Sequence, residues 1–339
     1  LGAFLIFGLL ENSNLIKIKA IRNVLLIGVA IMLLKFVGYF LTHSNALLSD
    51  ALESIINVVA GAFAYYSIKL AAKPKDIAHP YGHGKIEFVS AGFEGGLILI
   101  AGLIIIGKSI MNMLHPVAIE QLNIGAVLAT IAGLSNYILG RFLIKTGQQH
   151  QSITLIADGK HLQSDTWSSL GLVAGIILIY VTGWVWLDNV FAIFFAVIII
   201  VTGSKLVRKS LAGLMDEADE YVLNDVVKVL NDNRKPIWID FHNLRIQQYG
   251  SSFHIDCHIT LPWYNDLKTT HDELKNIEEL ITDKFHHQVE LFIHPDPCLP
   301  FSCNLCQLNN CSVRQNPFAQ KIEWTIENIL LNEKHKISE

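Results

Sequence analysis

Six stretches of about twenty apolar residues, at roughly 24–42, 47–69, 89–111, 122–144, 162–182 and 184–204, dictate what this chain can become. About 20 residues is what a helix needs to cross a hydrocarbon layer, and in lipid the backbone must satisfy its own hydrogen bonds. The expected architecture is therefore an α-helical membrane protein with six transmembrane helices. The first run starts too far in to be a cleaved signal peptide, and five more follow it. Residues 1–16 are also apolar, but too short for a seventh span. The first residue is Leu1 rather than methionine, so further residues are expected upstream.

Charge divides the chain where the apolar runs stop. Residues 1–212 carry 15 Lys and Arg against 10 Asp and Glu, whereas residues 213–339 carry 11 against 20. Charged residues make up only 17% of the chain, below the ~25% of a soluble protein, which excludes a wholly soluble enzyme. The acidic second half excludes a nucleic-acid binder. Basic residues sit in alternate loops. Lys17, Lys19 and Arg22 precede the first span, Lys69 to Lys85 follow the second, Arg141 to Lys160 follow the fourth, and Lys205 to Lys209 follow the sixth. Segments 43–46, 112–121 and 183–188 contain no Lys or Arg. The positive-inside rule then places both termini in the cytoplasm of a multi-pass cell-membrane protein, with a bacterial inner membrane as the expected location.

Beyond residue 212 the periodicity predicts a helix over 217–231, strands over 237–248 and 252–261 joined at Gly250, a helix over 266–285 and a strand over 289–294. An amphipathic helix is expected over 318–333. Three parts follow: 1–212 in the membrane, 213–297 a cytosolic α+β domain, and 298–339 a cysteine-rich segment with a C-terminal helix.

Ionisable groups at bilayer depth are costly, so they are functional or paired. Asp50, Glu53 and Asn57 share a face of the second run at i, i+3 and i+7, and His161 and Asp165 stand one turn apart in the fifth. Glu53, Asn57, His161 and Asp165 together offer one nitrogen and three oxygen donors, a set suited to a divalent cation. Asp158 fits either a helix N-cap or this polar group. Lys35 and Glu94 are also intramembrane, and structural pairing is expected for both. In the loop after the second run, Asp76, His79 and His83 recur at i, i+3 and i+7. His254, Asp256 and His258 alternate on one strand face. Cys298, Cys303, Cys306 and Cys311 follow Cys-x4-Cys-x2-Cys-x4-Cys, a spacing that suits a structural Zn²⁺, with an iron–sulfur cluster as the alternative.

Several segments carry a family resemblance. Lys35–Gly38 with Ser44-Asn45-Ala46-Leu47-Leu48-Ser49-Asp50, His79-Pro80-Tyr81-Gly82-His83-Gly84-Lys85, and His161-Leu162-Gln163-Ser164-Asp165 resemble, in order, motifs of the cation diffusion facilitator family. The resemblance runs from about residue 20 to 297. It implies a homodimeric, six-span exporter that exchanges a divalent metal for protons, followed by a ferredoxin-like αββαβ cytosolic domain. It implies a transport site at Glu53, Asn57, His161 and Asp165, where zinc-transporting relatives carry His or Asp and then Asp in place of Glu53 and Asn57. Zinc is the first expectation for the ion, with manganese or iron as alternatives. The family also implies a loop metal site at Asp76, His79 and His83. Regulatory ligands would come from His242, His258, His271, His294 and Asp296, to which His254 adds its own position. Lys85 and Asp216 match recurrent positions and suggest a charge contact between loop and domain.

The expected function is metal/proton antiport by alternating access, regulated by cytosolic metal. Proton coupling would fall to His161, Asp165 and Glu53, because metal and proton compete for the same lone pairs. The rivals are a metal-binding membrane receptor that does not transport and a membrane redox enzyme built on the cysteines. No nucleotide loop, dinucleotide fingerprint or catalytic triad appears, so enzymatic activity is not expected.

Overall fold

The computed structural model describes residues 2–42, 45–114, 122–182, 186–285 and 289–337, and within its helices leaves out the side chains of 2–11, 35, 38–42, 45–53, 122–129 and several from 172 to 188. Lys35, Asp50 and Glu53 therefore lie outside the described side chains, as do the loops at 43–44, 115–121 and 183–185. The chain forms two compact units, Leu1–Leu214 and Met215–Glu339.

The first unit consists of long helices: α1 Gly2–Thr42, α2 Asn45–Ala71, α3 Ile86–Leu114, α4 Leu122–Gln149, α5 Ile153–Thr182 and α6 Trp186–Leu214. Among the described residues, Ser54–Ala71, Ile86–Leu114 and Asn189–Leu214 are long and apolar enough to cross a bilayer. α1 packs along α2, α3 along α6 and α4 along α5. With lipid as solvent, close backbone approach rather than hydrophobic exclusion draws such helices together. A Cβ on Gly140 of α4 would lie 2.7 Å from the Gly159 carbonyl oxygen of α5, and one on Gly159 would lie 2.8 Å from that of Gly140. Only glycine permits this crossing, which sits two residues before His161.

Two helices start earlier than their apolar runs. α1 reaches back to Gly2 through Lys17, whose ammonium is buried 3.6 Å from the Glu87 carboxylate. Pairing removes the cost that an isolated buried cation would impose. α5 begins at Ile153, where Ser152 accepts the Leu155 N–H at 3.4 Å and donates its hydroxyl to Glu87. Asp158 is consequently an interior helical residue and not an N-cap.

The second unit runs α7 Glu220–Asp232, β1 Asp240–Tyr249, β2 Ser252–Leu261, α8 Leu267–Lys284 and β3 Val289–Pro297. β1 and β2 pair antiparallel around Gly250 and Ser251, with Gly250 at φ +63°, a conformation that glycine adopts without strain. β3 joins β2 in parallel, giving the order β1-β2-β3. Alternation sends Phe253, Ile255, Cys257, Ile259 and Leu261 to one sheet face, where they pack with Leu223, Val226 and Leu230 of α7 and Ile277 and Ile281 of α8. Asp219 and Asp266 cap the two helices by accepting the N–H groups of Tyr221 and Thr269.

The helix expected over 318–333 shrinks to Ile326–Ile329, called α9. Trp324 explains the difference. Its ring is buried in the core, its carbonyl accepts from Asn231 at 2.7 Å, and the Arg234 guanidinium stacks on it at 3.8 Å. These tertiary bonds occupy backbone groups that a longer helix would use internally.

Candidate metal centres

The polar site of the membrane unit is a short hydrogen-bonded chain. α2 presents Asn57, and α5 presents His161 and Asp165 on one face. The Asn57 Nδ2 donates to Asp165 Oδ2 at 3.0 Å, and Asn57 Oδ1 lies 3.1 Å from His161 Nε2. That contact requires the imidazole to carry a proton on Nε2. The amide thus bridges imidazole and carboxylate. Beside the chain lies a cavity of about 410 Å³ that includes Asn57, Ser54, Asp158 and Asn136 in an otherwise mainly apolar wall.

Glu94, for which intramembrane pairing is expected, finds its partner beside this group. Buried on α3, it places Oε2 3.8 Å from His161 Nδ1, on the other side of the ring from Asn57. No spacing within one helix could reveal this pair, because its members come from different helices.

Among the described residues, two groups bring three ligand atoms within 4.8 Å of one another: Asp76, His79 and His83, and His242, His258 and Asp296. In the loop, Asp76 lies 3.0 Å from His79 Nδ1 and 3.3 Å from His83 Nε2. Hydrogen bonds from the His79 side chain and backbone hold the exposed Asp76 carboxyl below the usual carboxylate range. Lys85 follows in the same unit, and Asp216 is the second residue of the other unit, at φ +59°.

In the sheet, strand register makes the second group. His242, His258 and His294 form one row across β1, β2 and β3, and Asp296 lies two residues further along the same face. Asp296 Oδ2 lies 3.3 Å from His242 Nε2 and 3.0 Å from His258 Nδ1, while the His258 and His294 rings stand 4.8 Å apart. His254 is not drawn in, because it sits four residues from His258 and pairs with Glu290 at 3.2 Å. His271 is also apart, exposed on α8, which packs against the opposite sheet face.

Behind His242 stands Asp240, a residue the motifs did not single out. Its Oδ2 lies 3.5 Å from His242 Nδ1 and accepts the His335 N–H at 3.0 Å, and its other oxygen contacts the His335 ring. Burial alone would raise this carboxyl, but the nearby His242 ring and the hydrogen bonds from His335 outweigh it and hold it low. The i, i+2 spacing of Asp240 and His242 on a strand was the available signal. Lys334 reaches the same place, donating to the Pro297 carbonyl at 2.8 Å, 3.6 Å from Asp296 Oδ1.

Cys298, Cys303, Cys306 and Cys311 line one cavity of about 50 Å³ with Trp263, Tyr264 and Arg314. No three of their sulfurs fall within the 4.8 Å that encloses the ligand atoms of each histidine group. The Tyr264 hydroxyl hydrogen-bonds Cys311, and this bond, followed by burial, pushes the phenol up to about 12.

Comparison with known proteins places these groups in context. The cation efflux transmembrane domain matches residues 21–215, and the cytoplasmic domain of cation efflux proteins matches residues 218–298. An uncharacterised transporter of Synechocystis sp. is 35% identical over 263 residues, 77% of this chain and 85% of the relative. The magnetosome protein MamB of Magnetospirillum gryphiswaldense is 25% identical over 79% of this chain and 91% of its own length. The cation-efflux pump FieF of Salmonella arizonae is 24% identical over 80% of this chain and 89% of its own.

Proposed function

The chain belongs to the cation efflux, or cation diffusion facilitator, family of membrane transporters for divalent metal cations, and from that premise we propose that it exchanges its cation for protons at Glu53, Asn57, His161 and Asp165. The observation that carries this reading is the His161–Asn57–Asp165 hydrogen-bonded chain beside a cavity in the membrane unit. An arriving cation takes the lone pairs of His161 and Asp165, and Asn57 turns its amide oxygen from imidazole to metal. Protons reverse the exchange on the far side by claiming the same lone pairs. Histidine suits this work, because its ordinary pKa near 6.5 falls in the working range.

In this reading α1–α6 are six membrane spans with both termini in the cytoplasm of a bacterial inner membrane, and alternating access moves the site between the two sides. The second unit is a ferredoxin-like regulatory domain of a homodimer. It senses cytosolic metal through His242, His258, His294 and Asp296, with a second cytosolic site at Asp76, His79 and His83. Zinc is the ion the family resemblance puts first, whereas the mixed nitrogen and oxygen donor set, with the neutral Asn57, suits manganese and iron as well.

Calorimetric titration of the detergent-solubilised protein in buffers of different ionisation enthalpy tests the exchange. Metal binding is expected to release protons, and Asp165→Asn is expected to remove one binding event together with its proton release. An unchanged titration in Asp165→Asn would exclude this site.

A further inference from the structure

The match to the cytoplasmic domain ends at residue 298, yet the chain after it is folded against the rest of the unit. Cys298 leaves β3 with its N–H on the Leu261 carbonyl at 2.9 Å. Cys303 lies in a 3-10 helix, Pro300–Asn304, and the next turn returns the Cys306 N–H to the Cys303 carbonyl at 3.3 Å. Cys311 opens a further turn, closed by the Arg314 N–H on its carbonyl at 3.3 Å. Three tight turns thus bring four cysteines, from positions spread over fourteen residues, to the wall of a single cavity.

Little else holds this segment. Its apolar cluster is Ile239, Leu305 and Cys306, with Cys298, Leu308, Ile322 and Ile337 packed around them, so two of its members are cysteines. A segment this small and irregular, with so little apolar surface to bury, needs a covalent or metal staple. The thiols are free rather than joined as disulfides. Arg314 braces the loop from the wall of the same cavity, donating to the carbonyls of Cys303 at 3.0 Å, Cys306 at 3.0 Å and Leu308 at 2.6 Å. Its positive charge partly offsets the two negative charges that four thiolates and one divalent ion leave behind.

We propose that Cys298, Cys303, Cys306 and Cys311 hold one structural Zn²⁺ as a tetrathiolate, distinct from the transported ion and from the histidine centres. Tetrahedral Zn–S bonds of about 2.3 Å would draw the four sulfurs together, and four cysteine ligands complete a closed structural site.

The test uses the full-length protein purified in detergent without added metal and briefly exposed to a weak chelator to clear open sites. Elemental analysis is expected to find zinc that persists, and stepwise addition of an organomercurial is expected to release one zinc as four thiols react. Cys306→Ser should retain one zinc fewer per chain than wild type. Four thiols that react with no zinc released would overturn the proposal. So would iron in place of zinc, with its visible thiolate absorption, or equal retained zinc in Cys306→Ser and wild type.

Discussion

At the scale of single residues, the membrane site turns on how a neutral amide sits between two ionisable groups. Asn57 donates to Asp165 and accepts from His161, so neither contact changes the net charge of the site. The sequence spacing identified Asn57, His161 and Asp165, because their face-sharing is a property of single helices. Glu94 escaped that logic, since only packing of α3 against α5 brings it to His161. As the acid on the other side of the ring, Glu94 is expected to set the protonation of His161 rather than hold the ion. Glu94→Gln should therefore shift the pH profile of transport while leaving metal affinity nearly unchanged, and a wild-type profile would remove Glu94 from the proton path. Cys257 supplies a contrasting case. Burial pushes its thiol up to about 12 from 9.0, so the folded state holds the neutral thiol more tightly than the unfolded state does. Its stabilising contribution is complete below pH 9 and falls as pH rises towards 12. Alkylation at pH 8 with mass-spectrometric readout should modify Cys257 only after unfolding, and ready labelling of the folded protein would contradict its burial.

At the scale of elements, local pattern and tertiary contact divided the work. The alternation of Phe253, Ile255, Cys257 and Ile259 marked β2, and the stripe of Val222, Val226, Val227 and Leu230 marked α7, because each buries one face of a regular period. Helix starts were harder to read. α5 extends back to Ile153 because Ser152 and Glu87 satisfy its first turn, a contact between segments 65 residues apart. The segment after Phe318 has helical composition but is held by Trp324, Asn231 and Arg234 in a form that composition does not encode. Trp324 should therefore anchor the second unit. Trp324→Ala removes a fully buried ring and is expected to cost about 3–5 kcal/mol in chemical denaturation of that unit. A change under about 1 kcal/mol, the size typical of an ordinary point substitution, would show that the tail is not part of the core.

At the scale of the whole molecule, the chain joins a membrane transporter unit to a domain rich in histidine and cysteine. The C-terminal tail contributes to that second unit, since His335 steadies Asp240 behind His242 and Lys334 approaches Asp296. Lys334 faces Asp296 Oδ1, the oxygen that His242 and His258 leave aside when they contact Oδ2. Removing residues 213–339 is expected to leave slow transport that no longer responds cooperatively to metal concentration, and full wild-type behaviour after that deletion would reject the regulatory role. The central claim rests on the membrane unit and is tested most directly by metal flux into proteoliposomes with and without a pH gradient, across Zn²⁺, Mn²⁺, Fe²⁺, Co²⁺, Ni²⁺ and Cd²⁺. The account predicts gradient-dependent uptake of at least one of these ions, abolished in Asp165→Ala and altered in ion preference in Asn57→Asp. Metal binding without flux of any ion, or flux indifferent to both substitutions, would contradict it.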